Sequence, residues 1–405
     1  MSTPGQPKAG ESRPADEPRR VVVLGSTGTI GELVLDVARR HADRVRIVGL
    51  AAGRNVEQLA RQAREFAPAA LALADPSLLP ALREGSPLPG NPELLAGDDG
   101  LCRLAAWPQA DIVVNGIVGA AGLRPTLAAL AAGRRVGLAN KESMVLAGHL
   151  VCEAIARHGG AIVPIDSEHS ALWQCLQGRT AAEVRRLWLT ASGGPFRGRT
   201  AAELQQVTAR EALQHPTWRM GRRITIDSAT LFNKGLELIE AHWLFGVPFE
   251  RIDVVIHPQS IVHGLVEFTD GSYLAQLSPA DMRLPIQLAL SLPGRWGAPA
   301  APWSPSDTPS LTFEKPDEQR FPCLRIAREA GIAGGTAPAV ANAADELLVA
   351  AFLEGRVPWR AIPRGIARVL REHRPIAVPA LDDVLAADAW ARRETMAWVD
   401  EGDFD

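Results

Sequence analysis

The sequence predicts an α/β protein with three parts: an N-terminal Rossmann-like domain, a central α+β domain with an open sheet, and a C-terminal helical bundle. Three observations lead to this prediction. An apolar run, a glycine-rich turn and a helical pattern follow one another near residue 20. Strand and helix patterns then alternate to residue 165, as in a parallel sheet with crossover helices. Strand-rich sequence follows to residue 292, and from residue 321 apolar residues recur at helical spacing.

The glycine-rich turn favours a dinucleotide-binding site. An apolar strand, residues 20–24, precedes Gly25, Gly28 and Gly31, and a helical apolar pattern begins at Leu33. Glycine lets the backbone approach a pyrophosphate, and the helix N-terminus supplies N–H donors. The spacing is G-x-x-G-x-x-G rather than G-x-G-x-x-G, so a tight turn in another α/β protein is the alternative.

The end of the second predicted strand, residues 45–50, favours NADP over NAD. An NAD-preferring site usually has Asp or Glu here to bind the ribose 2′-hydroxyl. This chain has Arg54, which pairs well with a 2′-phosphate. An ordinary surface arginine is the alternative.

Polar residues follow the last strands of the predicted parallel sheet, at the edge where ligands bind. Further strands are predicted at 70–74, 111–115 and 135–139, and Lys141 comes directly after the last of these. Only four of the 43 basic residues are lysines, so each position that keeps lysine instead of arginine is a candidate for a specific role. Lys141 is a candidate to meet a substrate, and a surface lysine opening a helix is the alternative.

The strand at 161–165 leads into two acidic residues, Asp166 and Glu168. If extended geometry continues that far, both carboxylates face the same side. A divalent cation that prefers oxygen ligands would then relieve their repulsion. A strand followed by a solvated acidic turn is the alternative.

The central region holds a possible anion site and a polar helix face. Ser192 opens a Ser-Gly-Gly turn whose amides are suited to an anion, and Trp218 lies in a loop bounded by proline and glycine. Trp218 is either a lid or a core residue. If the next segment is helical, four polar residues share one face, with a simple helix salt bridge as the alternative. They are Asn233, Lys234, Glu237 and Glu240.

The remaining patterns predict the domain boundaries. Residues 252–268 and 272–277 are predicted to form strands with a flat face suited to another subunit, and C-terminal helices are predicted around 340–352, 366–370 and 381–390. The predicted parts are a disordered tail (1–18), an NADPH-binding domain (19–165), a catalytic, metal-binding and dimerisation domain (166–292), a proline-rich linker (293–320) and a helical domain (321–405).

Composition excludes several classes of protein. The 405 residues are 46% hydrophobic and 22% charged with a net charge of −3, which speaks against a nucleic-acid-binding surface. No apolar run is long enough for a membrane span, and the tail lacks the features of a signal or transit peptide. The four cysteines are scattered, which fits reduced thiols in a cytoplasmic protein.

Eight stretches in a fixed order carry a resemblance to a known family. They are Leu24-GSTGTIG-Glu32, Leu138-ANKES-Met144, Pro164-IDSEHS-Ala171, Leu189-TASGGPF-Arg197, His215-PTWRMG-Arg222, Asp227-SATLFNKGLELIEA-His242, Val255-IHPQSIVHG-Leu265 and Asn342-AADE-Leu347. Together they resemble the 1-deoxy-D-xylulose 5-phosphate reductoisomerase family, over about residues 20 to 400.

This resemblance implies a set of site residues. Asp166, Glu168 and Glu237 are implied to bind Mg²⁺ or Mn²⁺ and to take part in catalysis, and Lys141 is implied as a further catalytic residue. Glu240, one helical turn after Glu237, is implied to lie next to the metal ligands without contacting the metal. The implied substrate contacts are Lys141, Ser167, Glu168, Ser192, His215, Trp218, Ser228, Asn233, Lys234 and Glu237. The implied NADPH contacts are Thr27, Gly28, Thr29, Ile30, Gly53, Arg54, Asn55, Asn140, Glu142 and Gly221.

The implied activity is the NADPH- and metal-dependent rearrangement and reduction of a sugar phosphate, in a cytoplasmic homodimer of the isoprenoid precursor pathway. Ala191, Thr217, Arg219 and Arg54 differ from the family's commoner residues, and these changes bear on closure of the loop around Trp218. A simple NADP-dependent aldehyde dehydrogenase is an alternative, although no cysteine has a fitting context for its nucleophile. A non-enzymatic NADP sensor is another, although it has no use for three carboxylates.

Overall fold

A computed structural model of the chain describes residues 17–85, 87–218, 220–308, 310–402 and 404. The chain divides into two compact units. Unit 1 comprises the described parts of Met1–Ser143, His149–Ser170 and Asp281–Pro302, and unit 2 comprises those of Met144–Gly148, Ala171–Ala280 and Trp303–Asp405.

Unit 1 contains a seven-stranded sheet in which every neighbouring pair is parallel. Its strands are β1 Arg19–Leu24, β2 Val45–Ala52, β3 Ala70–Leu73, β4 Glu93–Ala96, β5 Ile112–Asn115, β6 Arg135–Leu138 and β7 Ala161–Pro164. Their spatial order is β4-β3-β2-β1-β5-β6-β7, so the order reverses between β1 and β5. Ligands of open α/β sheets bind at such a reversal, outside the carboxyl ends of the strands.

Helices flank this sheet because its strands are apolar on both faces. Val21, Val22, Val23 and Leu24 in β1 have no solvent exposure. The helices of unit 1 are α1 Thr29–Arg40, α2 Val56–Phe66, α3 Leu79–Glu84, α4 Gly97–Ala105, α5 Leu123–Ala131 and α12 Arg283–Ser291. Two more, α6 Glu142–His158 and α7 Ser167–Cys175, have residues in both units.

Unit 2 combines a mixed four-stranded sheet with helices. The strands are β8 Val184–Ala191, β9 Ile252–Ile256, β10 Val262–Phe268 and β11 Tyr273–Leu277, in the order β11-β10-β8-β9. The helices are α8 Ala201–Leu204, α9 Ala209–Ala212, α10 Arg222–Thr230, α11 Phe232–Phe245, α13 Cys323–Ala333, α14 Ala337–Leu353, α15 Ala361–Glu372 and α16 Leu381–Glu401. The predicted fold class is therefore confirmed, including the helical C-terminal part.

Extended geometry does not continue through Asp166 and Glu168, so this expectation is wrong. β7 ends at Pro164 and α7 begins at Ser167. The Asp166 carbonyl oxygen accepts the Ser170 amide at 2.8 Å, as at the start of a helix. Residues two apart in a helix point in different directions, so the shared-face argument fails at this position.

Other expectations have mixed outcomes. Strand β4 was not predicted, because its four residues carry too short a pattern. Residues 1–16 of the predicted disordered tail lie outside the described residues, and so does Arg219. The predicted domain boundaries stay a prediction. Among the described residues, no helix combines the length and the apolar character that a membrane crossing requires.

Candidate active site

The glycine-rich turn of unit 1 fits a pyrophosphate. Helix α1 begins after Gly28, which has no side chain to cap the first amides of the helix. These amides, from Thr29 onward, are therefore suited to an anionic ligand. Gly31 allows close packing behind the turn, because a Cβ there would lie 2.3 Å from the Gly25 carbonyl oxygen. The donor chemistry and the space thus fit the dinucleotide that the sequence predicts.

The end of β2 is open to solvent, as a 2′-phosphate site must be. Gly53, Arg54 and Asn55 are all exposed. The Arg54 side chain is 79% exposed and forms an ion pair with Asp75 at 2.9 Å. Asn55 caps α2 by accepting the Gln58 amide at 3.0 Å. Arg54 therefore has a carboxylate partner, with which a 2′-phosphate would compete.

Asn140 and Glu142 brace the loop that follows β5. The Asn140 side-chain amide donates to the Ile117 carbonyl oxygen at 2.7 Å and to that of Gly119 at 2.9 Å. Glu142 accepts the Gly119 amide at 3.0 Å and a hydrogen bond from Asn140, also at 3.0 Å. Both side chains are at least nine-tenths buried. They shape the strand edge beside the glycine-rich turn, and direct contact with a cofactor stays a prediction.

Lys141 and Asp166 form a nearly buried ion pair at the carboxyl ends of β6 and β7. Their Nζ and Oδ2 atoms are 2.5 Å apart, and the side chains are 8% and 11% exposed. The Ser167 hydroxyl donates to Glu168 at 2.6 Å. His169, which the sequence analysis did not single out, is fully buried with Nδ1 3.9 Å from Asp166 Oδ2. Lysine, hydroxyl and carboxylates thus follow two neighbouring strands of unit 1.

The corner between α10 and α11 carries the predicted polar face of unit 2. Leu231 joins the two helices. Its backbone has the left-handed conformation, with φ at 63°, and the residue is 4% exposed. On α11, Asn233 donates to Glu237 Oε1 at 2.5 Å, and Lys234 forms an ion pair with Glu237 Oε2. The helix salt bridge that was the alternative is therefore present, but the Lys234 and Glu237 side chains are 5% and 2% exposed, so it is buried rather than solvated.

Backbone packing brings the Ser192 turn next to Ser228 on α10. Gly194, at the end of the turn, has φ of 67°, and a Cβ there would lie 2.9 Å from the Ser228 carbonyl oxygen. Only glycine accommodates both the conformation and the approach. The structure therefore brings together two of the serines that the sequence analysis singled out.

Hydrogen bonds around His215 leave the Ser192 hydroxyl ready to donate. The amides of Thr217 and Trp218 donate to His215 Nδ1 at 3.2 and 2.9 Å, which assigns the ring proton to Nε2. Nε2 then donates to Ser192 Oγ at 3.0 Å, and the Gly194 amide donates to the same oxygen at 3.2 Å. Burial lowers the His215 pKa to about 4, so the ring is neutral near pH 7. Ser192 thus has two accepted hydrogen bonds and one proton to offer.

Hydrogen bonds hold the loop that carries Trp218 at His215, and its other end is held at Gly221, where α10 begins. Gly221 caps α10, and its carbonyl oxygen accepts both the amide and the hydroxyl of Thr225, at 3.1 and 2.8 Å. Between these points, the Trp218 ring is half-buried, 6.0 Å from the His263 ring. A contact of Gly221 with a cofactor and a lid function of Trp218 stay predictions.

The predicted metal ligands fit a hard divalent cation by their chemistry. All three are carboxylates, the ligand type that Mg²⁺ prefers. Asp166 and Glu168 lie in unit 1 and Glu237 in unit 2. Asp166 and Glu237 are largely buried beside lysines, so their charge is maintained away from bulk water. Their assembly around one ion stays a prediction.

Three family models match most of the chain. The 1-deoxy-D-xylulose 5-phosphate reductoisomerase model matches residues 21–148, its C-terminal domain model matches 162–245, and the DXP reductoisomerase C-terminal domain model matches 277–394.

Curated relatives cover nearly the whole chain. The 1-deoxy-D-xylulose 5-phosphate reductoisomerase of Synechococcus sp. (strain JA-2-3B'a(2-13)) is 53% identical over 381 residues, 93% of this chain and 96% of the relative. That of Thermodesulfovibrio yellowstonii is 50% identical over 375 residues, with 93% and 98% covered.

Solved structures of reductoisomerases superpose on the chain as well. The enzyme from Zymomonas mobilis in complex with NADPH has a TM-score of 0.87 at 44% identity, covering 94% of this chain and 99% of that one. A DOX-P reductoisomerase in complex with NADPH, fosmidomycin and magnesium has a TM-score of 0.90 at 39% identity, covering 94% and 98%. This chain therefore belongs to the 1-deoxy-D-xylulose 5-phosphate reductoisomerase family.

Proposed function

We propose that the protein converts 1-deoxy-D-xylulose 5-phosphate into 2-C-methyl-D-erythritol 4-phosphate, using NADPH and Mg²⁺, in isoprenoid precursor biosynthesis. The observation that carries this proposal is 53% identity over 93% of the chain to a reductoisomerase. The buried polar groups described above have the chemistry that such a reaction needs.

The substrate phosphate is bound by the Ser192 turn and the α10–α11 corner. The Ser192 hydroxyl and its glycine amides act as donors, Ser228 lies beside them, and Asn233 and Lys234 extend from the next helix. Lys234 is 4% exposed, so its charge acts in a medium of low dielectric constant. His215 fixes the orientation of Ser192 and the start of the loop.

Asp166, Glu168 and Glu237 hold the Mg²⁺ ion, with Mn²⁺ as a second usable metal. When bound, the ion stabilises negative charge on the substrate's carbonyl and hydroxyl oxygens during the rearrangement. Lys141 orients Asp166 through their ion pair and, with Ser167, contacts substrate hydroxyls. Glu240 is fully buried on α11, one turn after Glu237, and supports that ligand.

NADPH occupies the glycine-rich turn of unit 1 and supplies the hydride that reduces the rearranged aldehyde. The turn residues Thr27 and Gly28 and the first residues of α1, Thr29 and Ile30, bind its pyrophosphate. Gly53, Arg54 and Asn55 surround the 2′-phosphate. Asn140, Glu142 and Gly221 complete the site. Trp218 excludes water when the loop between His215 and Gly221 closes.

We also propose that the protein is a cytoplasmic homodimer. Strand β11 is an edge strand, and Tyr273, Leu274 and Leu277 on it are 52%, 41% and 36% exposed. An apolar edge strand is a template for pairing with a second copy. Leu274→Arg should give a monomer in size-exclusion chromatography with light scattering. Ile332→Arg, a change at an exposed residue of α13, is the matched control and should leave the dimer intact.

The assay that tests the activity combines NADPH, MgCl₂ and 1-deoxy-D-xylulose 5-phosphate. We expect loss of the reduced-nicotinamide absorbance that stops when EDTA removes the metal. Reduction of NADP⁺ with a simple aldehyde instead would identify a dehydrogenase. NADPH binding without turnover of any sugar phosphate would identify a sensor.

A further inference from the structure

A buried polar cluster joins α10 to α14, and none of its members is a residue assigned to substrate or cofactor. Its central members are Arg223 and Asp227 on α10 and Asp345 on α14. Asp345 is fully buried, Asp227 is 4% exposed and the Arg223 side chain is 17% exposed. The guanidinium lies 3.6 Å from Asp227 and 3.7 Å from Asp345. It also donates to the Asn342 side chain at 2.9 Å.

The outer side of the cluster extends to α16. Glu346 accepts hydrogen bonds from Arg223 at 3.3 Å and from Arg392 at 3.0 Å. Arg392 also binds Asp388 at 2.7 Å. The cluster thus contains four carboxyl groups and two guanidinium groups, an excess of acid in a buried place.

This excess of acid affects the titration of Asp345. Burial, and then the neighbouring Asp227 charge, raise the pKa of Asp345 well above its usual range, against the effect of Arg223. The Asp345 carboxyl therefore holds its proton to a higher pH than an ordinary carboxyl does. The Cys323 thiol on α13, whose pKa is also raised by burial, faces the same pair and adds no charge.

Helix α10 is the element that this cluster holds. It begins at Gly221, where the loop that carries Trp218 ends, and it ends at the Leu231 corner. Ser228 follows Asp227 directly. A shift of α10 on α14 would therefore move Ser228 away from the Ser192 turn and would displace the start of α11.

We propose that Arg223, Asp227 and Asp345 form a positioning cluster that fixes α10 on α14 and thereby sets the place of Ser228 for the substrate phosphate. The proposal rests on the proposed function, because it takes Ser228 as a phosphate-binding residue. It assigns a role to Asp227, the first residue of the Asp227–His242 stretch, and to the Asn342–Leu347 stretch, which contains no proposed substrate or cofactor contact. None of the three residues needs to touch the ligand.

Asp345→Leu and Asp345→Asn test the proposal together. The leucine variant removes the acid, whereas the asparagine variant keeps a neutral hydrogen-bonding group of the same shape. Asp345→Leu should raise the KM for 1-deoxy-D-xylulose 5-phosphate about tenfold or more, because small misplacements of binding groups are costly. It should change NADPH binding less than it changes the KM, because Gly221 is the only proposed cofactor contact that adjoins α10. Asp345→Asn should restore a KM near that of the native protein.

Amide hydrogen exchange supplies a readout that does not depend on activity. In Asp345→Leu, the amides of Arg222–Thr230 should lose protection, and in Asp345→Asn they should keep it. Asp388→Leu is the matched control, because Asp388 is also a buried carboxylate of the cluster, 8% exposed, but binds Arg392 and not α10. If Asp345→Leu fails to fold, Arg223→Lys replaces it. It should show the same pattern, because a compact ammonium cannot span the separate groups that the planar guanidinium reaches.

Unchanged protection of α10 and an unchanged KM in a folded Asp345→Leu or Arg223→Lys protein would overturn the proposal. An equal loss in Asp388→Leu, or no rescue by Asp345→Asn, would do so too. Ser228→Ala, measured in parallel, separates the two proposals. If it leaves the KM unchanged, the assignment of Ser228 to the phosphate fails, while the exchange data still decide whether the cluster anchors α10.

Discussion

The buried ion pair between Lys234 and Glu237 allows a test that separates a structural role from a catalytic one. Three variants are needed: Lys234→Met, Glu237→Gln and the double variant. Each single change leaves one buried group without its charged partner. The double change removes both charges and keeps the approximate volume. The glutamine side chain also retains an oxygen for the Asn233 amide, which in the native protein donates to Glu237 at 2.5 Å.

The expected magnitudes follow from burial. Breaking a buried ion pair from one side costs about 3–5 kcal/mol, because the remaining charge is uncompensated. Replacing both partners by neutral groups is often nearly neutral for stability, so the double variant should regain most of that loss. The pair Arg325–Glu329 is the matched control, since it is also on a helix but its side chains are 50% and 58% exposed. Its coupling should be about 0.3–0.5 kcal/mol.

The two readouts should diverge in the double variant. Urea unfolding measures the stability of all variants, and NADPH oxidation with Mg²⁺ and sugar phosphate measures turnover. We expect the double variant to be stable but inactive, since it lacks both a phosphate cation and a metal ligand. Recovery of stability and turnover together would show that the pair only supports the helix, and the proposed site would then be wrong.

Further predictions concern the cofactor site and the dependence of stability on pH. Arg54→Asp should lower the kcat/KM preference for NADPH over NADH by about one to two decades, since a charged hydrogen bond is replaced by repulsion; an unchanged ratio would contradict this. Gly31→Ala should lower both Tm and NADPH affinity, because the new Cβ would lie 2.3 Å from a backbone oxygen, whereas Gly297→Ala has no atom within 4 Å and should change neither. Burial lowers the His263 pKa from 6.5 to about 4, so below pH 6.5 the unfolded chain binds a proton that the folded chain does not. Its contribution to stability should therefore be lost between pH 6.5 and 4, and thermal unfolding of His263→Gln should show a weaker loss over that range. The raised pKa of Asp345 acts in the opposite direction: native stability should fall as pH rises above the usual carboxyl range, and urea unfolding of Asp345→Asn should show less of this fall.

The sequence predicts the parts of the fold that have strong local patterns. The glycine-rich turn, the buried strands and the C-terminal helices all follow from apolar spacing and from glycine. The sequence also predicts the polar face of α11, because Asn233 and Lys234 each lie about one turn before Glu237. What spacing could not give was their burial, which depends on helices far away in the chain.

The parts that were missed or wrong depend on tertiary contacts or on local competition. The apolar run before Asp166 suggested continued extension, but the helix start at Ser167 ended it. The bond from His215 to Ser192 joins residues of separate segments, so no local signal shows that it orients the hydroxyl. The contacts of Arg223 with Asn342 and Asp345 link positions more than a hundred residues apart, and the sequence alone gives no register for them.

The left-handed corner at Leu231 has a consequence for how this protein tolerates changes in length. Each residue of a helix turns the chain by about 100°. Deleting or inserting one residue between Ser228 and Asn233 would therefore rotate the polar face of α11 by that angle relative to α10. The polar side chains of α11 would then point in a different direction from those of α10, although every side chain was retained. Length variation is thus expected in peripheral loops such as residues 293–304, whereas this corner must keep its residue count.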